Sequence, residues 1–270
     1  MGDDSRFVQG RSPTMLLVID VGNTNTSLGV YDGPRLLVSW RLTSRREQTA
    51  DEYGVLIQTL LQTRRIEPRQ ITAIALSNVV PPVQQTLEWM CQQYFGVLPL
   101  TVEPGVNVEM PLLVDNPKEV GADRVVNAVA AVALYGAPLI VIDFGTATTF
   151  DCISPRGEFL GGAIAPGLLA AAEALTARAA RLYRVELVRP KEAIGRDTVT
   201  NLQSGLVYGY AGLVDGLVER LKREMEGDPT VVATGGLAPL IREVTRSIQH
   251  VNLELTLEGL HLIWERANRR

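Results

Sequence analysis

Short apolar runs alternate with helical repeats along the first half of the chain. The apolar runs predict strands over Met15–Ile19, Thr26–Tyr31, Arg35–Leu42, Ile71–Leu76 and Leu98–Val102. The Thr49–Glu52 capping box predicts one helix start, a second helix is predicted from Pro82 to Gly96, and a third begins at Gly121–Arg124. The predicted order is strand, strand, strand, helix, strand, helix, strand, helix, which is typical of an α/β domain.

The second half of the chain repeats this order. Apolar runs predict strands over Pro138–Asp143, Thr148–Ile153, Glu158–Ala163, Thr230–Ala233 and His250–Leu253. Helical segments are predicted around Pro166–Thr176, Thr198–Glu224, Leu237–Val244 and Glu258–Asn268. The residues repeat as well, because Leu17–Thr26 aligns with Ile140–Thr149 at an offset of 123 residues. This duplication predicts two similar domains, 15–124 and 125–270, facing each other across a cleft that the paired loops line.

Two segments resemble targeting or membrane signals only superficially. Residues Met1–Thr14 are polar and charged, so we expect a disordered leader rather than a signal peptide, or a natural start at Met15. Val125–Ile142 carries no charge, but Gly136–Pro138 divides it because proline cannot continue a helix. We therefore expect a buried helix followed by a buried strand, and a cytoplasmic protein that does not enter the membrane.

The composition limits the available chemistry. Among 270 residues, Lys plus Arg number 26 and Asp plus Glu number 30, and the resulting net charge of −4 argues against a basic nucleic-acid-binding surface. Two His and two Cys lack zinc-ligand spacing. The three lysines, Lys118, Lys191 and Lys222, are each followed by Glu or Arg, so no Walker A loop is present. Carboxylates, hydroxyls, amides, arginines and bound ions must therefore carry the chemistry.

Two loops of similar composition follow the strands that the repeat aligns. In Asp20–Ser27, a glycine permits close approach of the backbone, hydroxyl and amide side chains suit phosphate oxygens, and Asp20 can hold a cation. In Asp143–Thr149, Asp143 ends an apolar strand where an unpaired carboxylate is costly, so a bound cation is a natural partner. The alternatives are a plain hairpin turn and an Asp bonded to the amides of its own turn.

Three further motifs allow both a structural and a functional interpretation. Asp123, in Gly121–Arg124, is either a helix N-cap or a general base beside an arginine that binds an anionic substrate group. Thr198 either caps the long helix or binds substrate. The glycine pair that ends Val231–Gly236 permits close packing of a flat ring such as adenine, or of another backbone segment.

Taken in order, the motifs resemble those of the type III pantothenate kinases, in the acetate and sugar kinase/actin superfamily. The matching segments are Asp20–Thr26, Asp115–Arg124, Asp143–Thr149, Gly161–Gly167 and Ala233–Gly236. The match extends from about Met15 to the C terminus, and the ordered set is far more specific than any single motif. The resemblance implies two duplicated ribonuclease-H-like (actin-like ATPase) domains with the active site in the cleft between them.

The resemblance also implies an activity: ATP-dependent phosphorylation of pantothenate to 4′-phosphopantothenate, the first step of coenzyme A biosynthesis. It makes Asp123 the general base and assigns pantothenate binding to Gly121, Ala122, Asp123, Arg124 and Thr198, with Arg124 facing the substrate carboxylate. It assigns ATP binding to Asp20, Val21, Gly22, Asn23, Thr24, Asn25, Thr26, Ser27 and Thr146. Asp143 would hold a monovalent cation, K⁺ or NH₄⁺, which the family requires alongside Mg²⁺. The family is homodimeric.

Two other functions stay open on the residues alone. One is a binding or regulatory protein that keeps the fold without catalysis, which would tolerate loss of Asp123, Asp143 or the first loop, and all of these are present. The other is a phosphotransferase of the same superfamily with a different acceptor. Release of ADP with and without pantothenate separates the three.

Overall fold

The computed structural model describes residues 15–179 and 181–269 and divides into two compact units. The first unit ends at Thr101 and the second begins at Val102. Residues 102–124, which the sequence-based division places in the first half, lie in the second unit. The predicted leader, Met1–Thr14, lies outside the described residues, and the predicted cleft between the two halves stays a prediction.

The first unit is built on a mixed five-stranded sheet. Its strands are β1 (Met15–Val21), β2 (Asn25–Asp32), β3 (Arg35–Thr43), β4 (Ile71–Asn78) and β5 (Leu100–Thr101), in the order β3-β2-β1-β4-β5. Its helices are α1 (Ala50–Thr63) and α2 (Gln84–Phe95). The predicted capping box begins α1, with the Glu52 carboxylate accepting from the backbone N–H of Thr49 at 2.7 Å. Gly96 ends α2 with a φ of +68°, as predicted.

The second unit carries a sheet with the same order of strands. Its strands are β6 (Leu139–Phe144), β7 (Ala147–Ile153), β8 (Phe159–Pro166), β9 (Thr230–Thr234) and β10 (His250–Val251), arranged as β10-β9-β6-β7-β8. Its helices are α3 (Ala122–Tyr135), α4 (Leu168–Arg178), α5 (Thr198–Glu224), α6 (Ala238–Arg242) and α7 (Leu255–Asn268). In both units the first strand is central, antiparallel to the second and parallel to the fourth. The predicted ribonuclease-H-like duplication of the fold is therefore confirmed.

Strand register corrects the residue-by-residue alignment of the repeat. Asp20 lies opposite Ser27 in the first sheet, and Asp143 lies opposite Thr149 in the second. The sequence alignment had instead matched Thr149 with Thr26. The turn between β6 and β7 is one residue shorter than the turn between β1 and β2, so the offset of 123 residues holds only up to the turn. The two strand-end aspartates are equivalent, whereas the residues after the turns shift by one position.

Element ends differ from prediction mainly where proline or a short edge strand is involved. The helix predicted from Pro82 begins at Gln84, because Pro81–Val83 forms a separate 3₁₀ turn. The strand predicted over Leu98–Val102 pairs only at Leu100–Thr101, and the helix predicted over Leu237–Val244 covers only Ala238–Arg242. Short edge strands make few ladder hydrogen bonds, so apolar pattern alone overestimates their length.

The long uncharged stretch forms the predicted buried helix and strand. α3 covers its first part and β6 its second, separated by Gly136 at a φ of +77°. Within the described residues, no helix is long and apolar enough to cross a membrane. α3 packs against α7 so closely that a Cβ added at Gly259 would lie 2.2 Å from the carbonyl oxygen of Val126. This packing fixes the helix that begins with the Gly121–Arg124 motif.

Candidate active site

The first candidate loop joins β1 to β2 and forms a tight turn. The N–H of Gly22 donates to the carbonyl oxygen of Asn25 at 3.0 Å, and a Cβ at Gly22 would lie 3.0 Å from that same oxygen. The side chains of Asn23 and Thr24 are exposed, whereas Thr26 is buried. The hairpin interpretation of the loop is therefore correct for its backbone, and the side chains of Asn23 and Thr24 lie at the surface.

The segment after β3 holds this loop in place. The N–H of Ser44 donates to the carbonyl oxygen of Thr24 at 2.9 Å, and the hydroxyls of Ser44 and Thr26 are 2.9 Å apart. Arg46 Nη2 donates to Asn23 Oδ1 at 3.3 Å. The sequence-based prediction of the loop did not include Ser44 or Arg46, because their contacts depend on how β3 returns along β2.

Asp143 lies at the end of β6 in a polar setting assembled from three elements. Asn127 Nδ2, on α3, donates to Asp143 Oδ2 at 3.3 Å, and Thr256 Oγ1, on α7, donates to Asn127 Oδ1 at 2.7 Å. Because Thr256 occupies the oxygen of the Asn127 amide, the amide nitrogen faces Asp143. Asn127 is only 1% exposed, so its hydrogen-bonding partners are essential to its burial.

The glycine pair after β9 approaches the same carboxylate. Gly235 has a φ of +89°, and a Cβ there would lie 2.7 Å from both Asp143 Oδ1 and the carbonyl oxygen of Phe144. Only glycine fits this position without displacing one of the two oxygens. Of the alternatives offered by the sequence, the structure shows close approach of a backbone segment at Gly235.

A buried ion pair joins α3 to β7. Asp151 is fully buried in β7, its Oδ1 accepts a hydrogen bond from Arg124 Nε at 2.7 Å, and the same oxygen lies 2.5 Å from Nη2. The guanidinium also lies 5.5 Å from the centre of the Phe159 ring. Sequence analysis missed Asp151, although a carboxylate inside the apolar run Phe150–Ile153 was a usable signal, since such a group requires a partner.

Asp123 does not cap its helix. The N-cap of α3 is Gly121, and Asp123 lies in the first turn, where its Oδ1 accepts from the backbone N–H of Arg124 at 2.8 Å. The N-cap alternative for Asp123 is therefore wrong. Burial raises the pKa of Asp123, while that hydrogen bond and the charge of Arg124 lower it by less.

Three aspartates of the second unit, Asp123, Asp143 and Asp151, form one electrostatic group with Arg124. Burial raises the pKa of Asp151, Arg124 lowers it, and the nearby charges of Asp123 and Asp143 raise it further. α3 contributes Asp123, Arg124 and Asn127, and Asp123 and Asn127 share a helix face because they are four residues apart. The fold thus brings together Asp123, Arg124 and Asp143, as the resemblance implies, and adds Asp151 and Asn127.

The other predicted site residues are placed as follows. Gly121 and Ala122 begin α3, and Thr146 is exposed in the turn between β6 and β7. Thr198 is the exposed first residue of α5, whose N-cap is Asp197, so the capping alternative for Thr198 is wrong. Among the described residues, no hydrogen bond or ion pair joins Thr198 to the aspartate group. Asp20–Ser27 belongs to the first unit.

Comparison with known proteins shows the family to which the chain belongs. The family model described as type III pantothenate kinase matches residues 16–220. The chain is 55% identical to a type III pantothenate kinase of Syntrophus aciditrophicus (strain SB), covering 93% of this chain and 99% of that protein. It is 53% identical to a protein of the same name from Myxococcus xanthus (strain DK1622), covering 93% and 98%.

The solved structures extend the likeness of the fold. Component A of (R)-2-hydroxyglutaryl-CoA dehydratase from Acidaminococcus fermentans aligns with a TM-score of 0.58 and 14% identity, covering 94% of this chain and 99% of that one. The ROK hexokinase of Thermus thermophilus aligns with a TM-score of 0.53 and 16% identity, covering 95% and 100%. At this identity the likeness concerns the fold alone.

The buried ion pair generates a prediction about stability. Asp151→Ala leaves the Arg124 guanidinium, only 17% exposed, without its carboxylate, so we expect the free energy of unfolding to fall by about 2–4 kcal/mol. The matched control is Glu219→Ala, which breaks an exposed pair with Arg223 on α5 and should cost less than about 1 kcal/mol. Urea denaturation of both variants measures the difference. Equal losses would contradict a special role for the buried pair.

Proposed function

The chain belongs to the type III pantothenate kinase family, and from this premise we propose which of its residues carry the reaction. The enzyme transfers the γ-phosphate of ATP to the primary hydroxyl of pantothenate and forms 4′-phosphopantothenate, the first step of coenzyme A biosynthesis. The observation that carries the proposal for the site is the aspartate group around Arg124, because it places a buried carboxylate beside a cation at a helix start.

Asp123 is the general base in this proposal. Burial raises its pKa, which strengthens it as a proton acceptor, while the backbone N–H and the charge of Arg124 lower the pKa by less. The Asp123 carboxylate accepts the proton of the pantothenate hydroxyl as the oxygen bonds to phosphorus and the bond from phosphorus to ADP breaks. Because the transition state of phosphoryl transfer is loose, most of the rate enhancement comes from positioning the reacting groups. Asp123 contributes by accepting the proton of the hydroxyl.

Gly121, Ala122, Arg124 and Thr198 bind pantothenate in this proposal, together with Asp123. Arg124 supplies a guanidinium for the substrate carboxylate. Its Nε and Nη2 both bind one oxygen of Asp151, so Nη1 is left out of the ion pair. The ion pair holds the guanidinium in one orientation before substrate arrives, which lowers the entropy lost on binding.

The loop Asp20–Ser27 and Thr146 bind ATP in this proposal. The side chains of Asn23 and Thr24 are exposed, and they offer donors to phosphate oxygens. Mg²⁺ accompanies the triphosphate and neutralises part of its charge. Asp20, at the end of β1, is the carboxylate placed to hold that ion directly or through water.

Asp143 is proposed to hold a monovalent cation, K⁺ or NH₄⁺. The oxygens present suit such an ion, because Asp143 Oδ1 and the carbonyl oxygen of Phe144 lie close together beside Gly235 at the end of β6. Oxygen ligands of this kind suit hard cations. A cation there would offset the negative charge that Asp143 adds to the group around Arg124. A homodimeric state and a cytoplasmic location, which the resemblance implies, stay predictions.

The proposed function is tested by coupling ADP release to an indicator reaction, with and without pantothenate. Pantothenate-dependent release supports the kinase, release that requires another alcohol indicates a different acceptor, and no release indicates a protein that keeps the fold without catalysis.

In the same assay, Asp123→Asn should lower kcat by about 10²–10⁴-fold, since a positioned base contributes a rate enhancement of that size. Turnover close to that of the unmodified enzyme would remove Asp123 from the role of base.

The cation proposal predicts dependence on the salt that is present. Replacing K⁺ by Na⁺ at constant ionic strength should lower turnover, and K⁺ should raise the melting temperature more than Na⁺ does, because a bound ion stabilises the folded state. Asp143→Asn should abolish this difference between the salts. Equal rates and equal melting temperatures in the two salts for the unmodified protein would exclude the role given to Asp143.

A further inference from the structure

We propose that Arg46 is a further ATP-binding residue, whose guanidinium contacts the phosphate oxygens held by the loop between β1 and β2. The inference deepens the proposed function and rests on the assignment of that loop to ATP. Its starting point is the charge of the loop itself. Asp20–Ser27 contains one carboxylate and no basic residue, and the chain has no Walker A lysine.

Neutral donors alone leave most of the charge of a triphosphate uncompensated. Mg²⁺ cancels only part of it, and kinases and related enzymes ordinarily add a lysine or arginine at the phosphates. A guanidinium suits this purpose, because its planar set of N–H donors matches the geometry of phosphate oxygens. The loop therefore needs a cation from elsewhere in the chain, and the first unit places Arg46 against it.

Three contacts fix the Ser44–Arg46 segment on the loop. The backbone of Ser44 binds the carbonyl oxygen of Thr24 at 2.9 Å, and its hydroxyl lies 2.9 Å from that of Thr26. These two contacts are independent of the Arg46 side chain. Arg46 then reaches Asn23 Oδ1 with Nη2 at 3.3 Å. The guanidinium is thus directed at the exposed tip of the loop by a backbone already held there.

The charge of Arg46 has no carboxylate partner in the part of the chain that the structure describes. Its one hydrogen bond goes to a neutral amide oxygen, and the side chain is exposed, so its remaining donors can meet an anion. Because Asn23 accepts through its oxygen, its amide nitrogen is left as a donor for the same ligand. Asn23 and Arg46 together present a neutral and a charged donor side by side.

Arg45 is a natural control because it adjoins Arg46 but has a different setting. The pKa of Glu52 is lowered by hydrogen bonds from Thr49 and, to a smaller extent, by the charge of Arg45. Arg45 is also exposed, and its charge therefore acts towards the start of α1 rather than towards Asn23. Removing either arginine changes the net charge of the protein equally, but in the described part of the chain it is the Arg46 side chain that hydrogen-bonds to the loop.

The experiment compares Arg46→Gln, Arg46→Lys and the control Arg45→Gln. We expect Arg46→Gln to raise KM for ATP about tenfold with KM for pantothenate unchanged, since it removes a charge-assisted hydrogen bond to an exposed phosphate. Arg46→Lys should lie between Arg46→Gln and the unmodified enzyme, and Arg45→Gln should match the latter. Choline chloride varies the ionic strength at fixed KCl, and kcat/KM for ATP should depend less on it in Arg46→Gln than in Arg46→Lys.

Three results would overturn the proposal. Equal KM values for ATP in Arg46→Gln and Arg45→Gln would show that ATP binding responds to the net charge of the protein and not to the position of Arg46. A second contrary result is a rise in KM for both ATP and pantothenate in Arg46→Gln, and a third is a dependence on ionic strength as strong as that of Arg46→Lys. Either result would show that Arg46 only supports the fold of the loop. Calorimetric binding of Mg-ATP to the same variants without pantothenate keeps the test separate from the proposed function. It should show the same tenfold weakening even if the acceptor proves to be another alcohol.

Discussion

The second unit depends on how it accommodates a carboxylate inside its sheet. Asp151 is fully buried in β7, and such a group is tolerated only with a charged partner and good geometry. Arg124 supplies the charged partner through Asp151 Oδ1, and this contact joins the start of α3 to β7. Because Asp123 and Asn127 lie on the same helix, their positions follow from the same ion pair. Burial also raises the pKa of Asp123, the property that the proposed role as base requires.

Duplication gave the protein two strand-end aspartates and placed them in different surroundings. Asp20 lies beside the three-residue turn between β1 and β2, whereas Asp143 lies beside a turn one residue shorter and accepts a hydrogen bond from Asn127. The close packing of Gly235 and the support of Thr256 are specific to the second copy. The two strand-end aspartates therefore have different neighbours, although they occupy equivalent places in the two sheets.

Much of the architecture was predictable from local pattern. The strands β1–β4 and β6–β9, the capping box of α1, the Gly96 cap and the duplication all follow from apolar periodicity and from residues with strong local preferences. The aspartates of the motifs were found because they follow apolar strands. Asp151, Asn127, Thr256 and Arg46 were not found, because each acquires its meaning from a partner distant in sequence. The shorter second turn was also missed, since an ungapped alignment cannot show it.

The central claim is that the half-buried Asp123 accepts the proton, and the pH dependence of kcat tests it most directly. A general base must be ionised, so kcat falls as pH falls through its pKa in the enzyme–substrate complex. The account predicts an acidic limb with an apparent pKa above about 4, the ordinary value for aspartate, and loss of that limb in the residual activity of Asp123→Asn. A limb at or below about 4, or one that persists in Asp123→Asn, would contradict it.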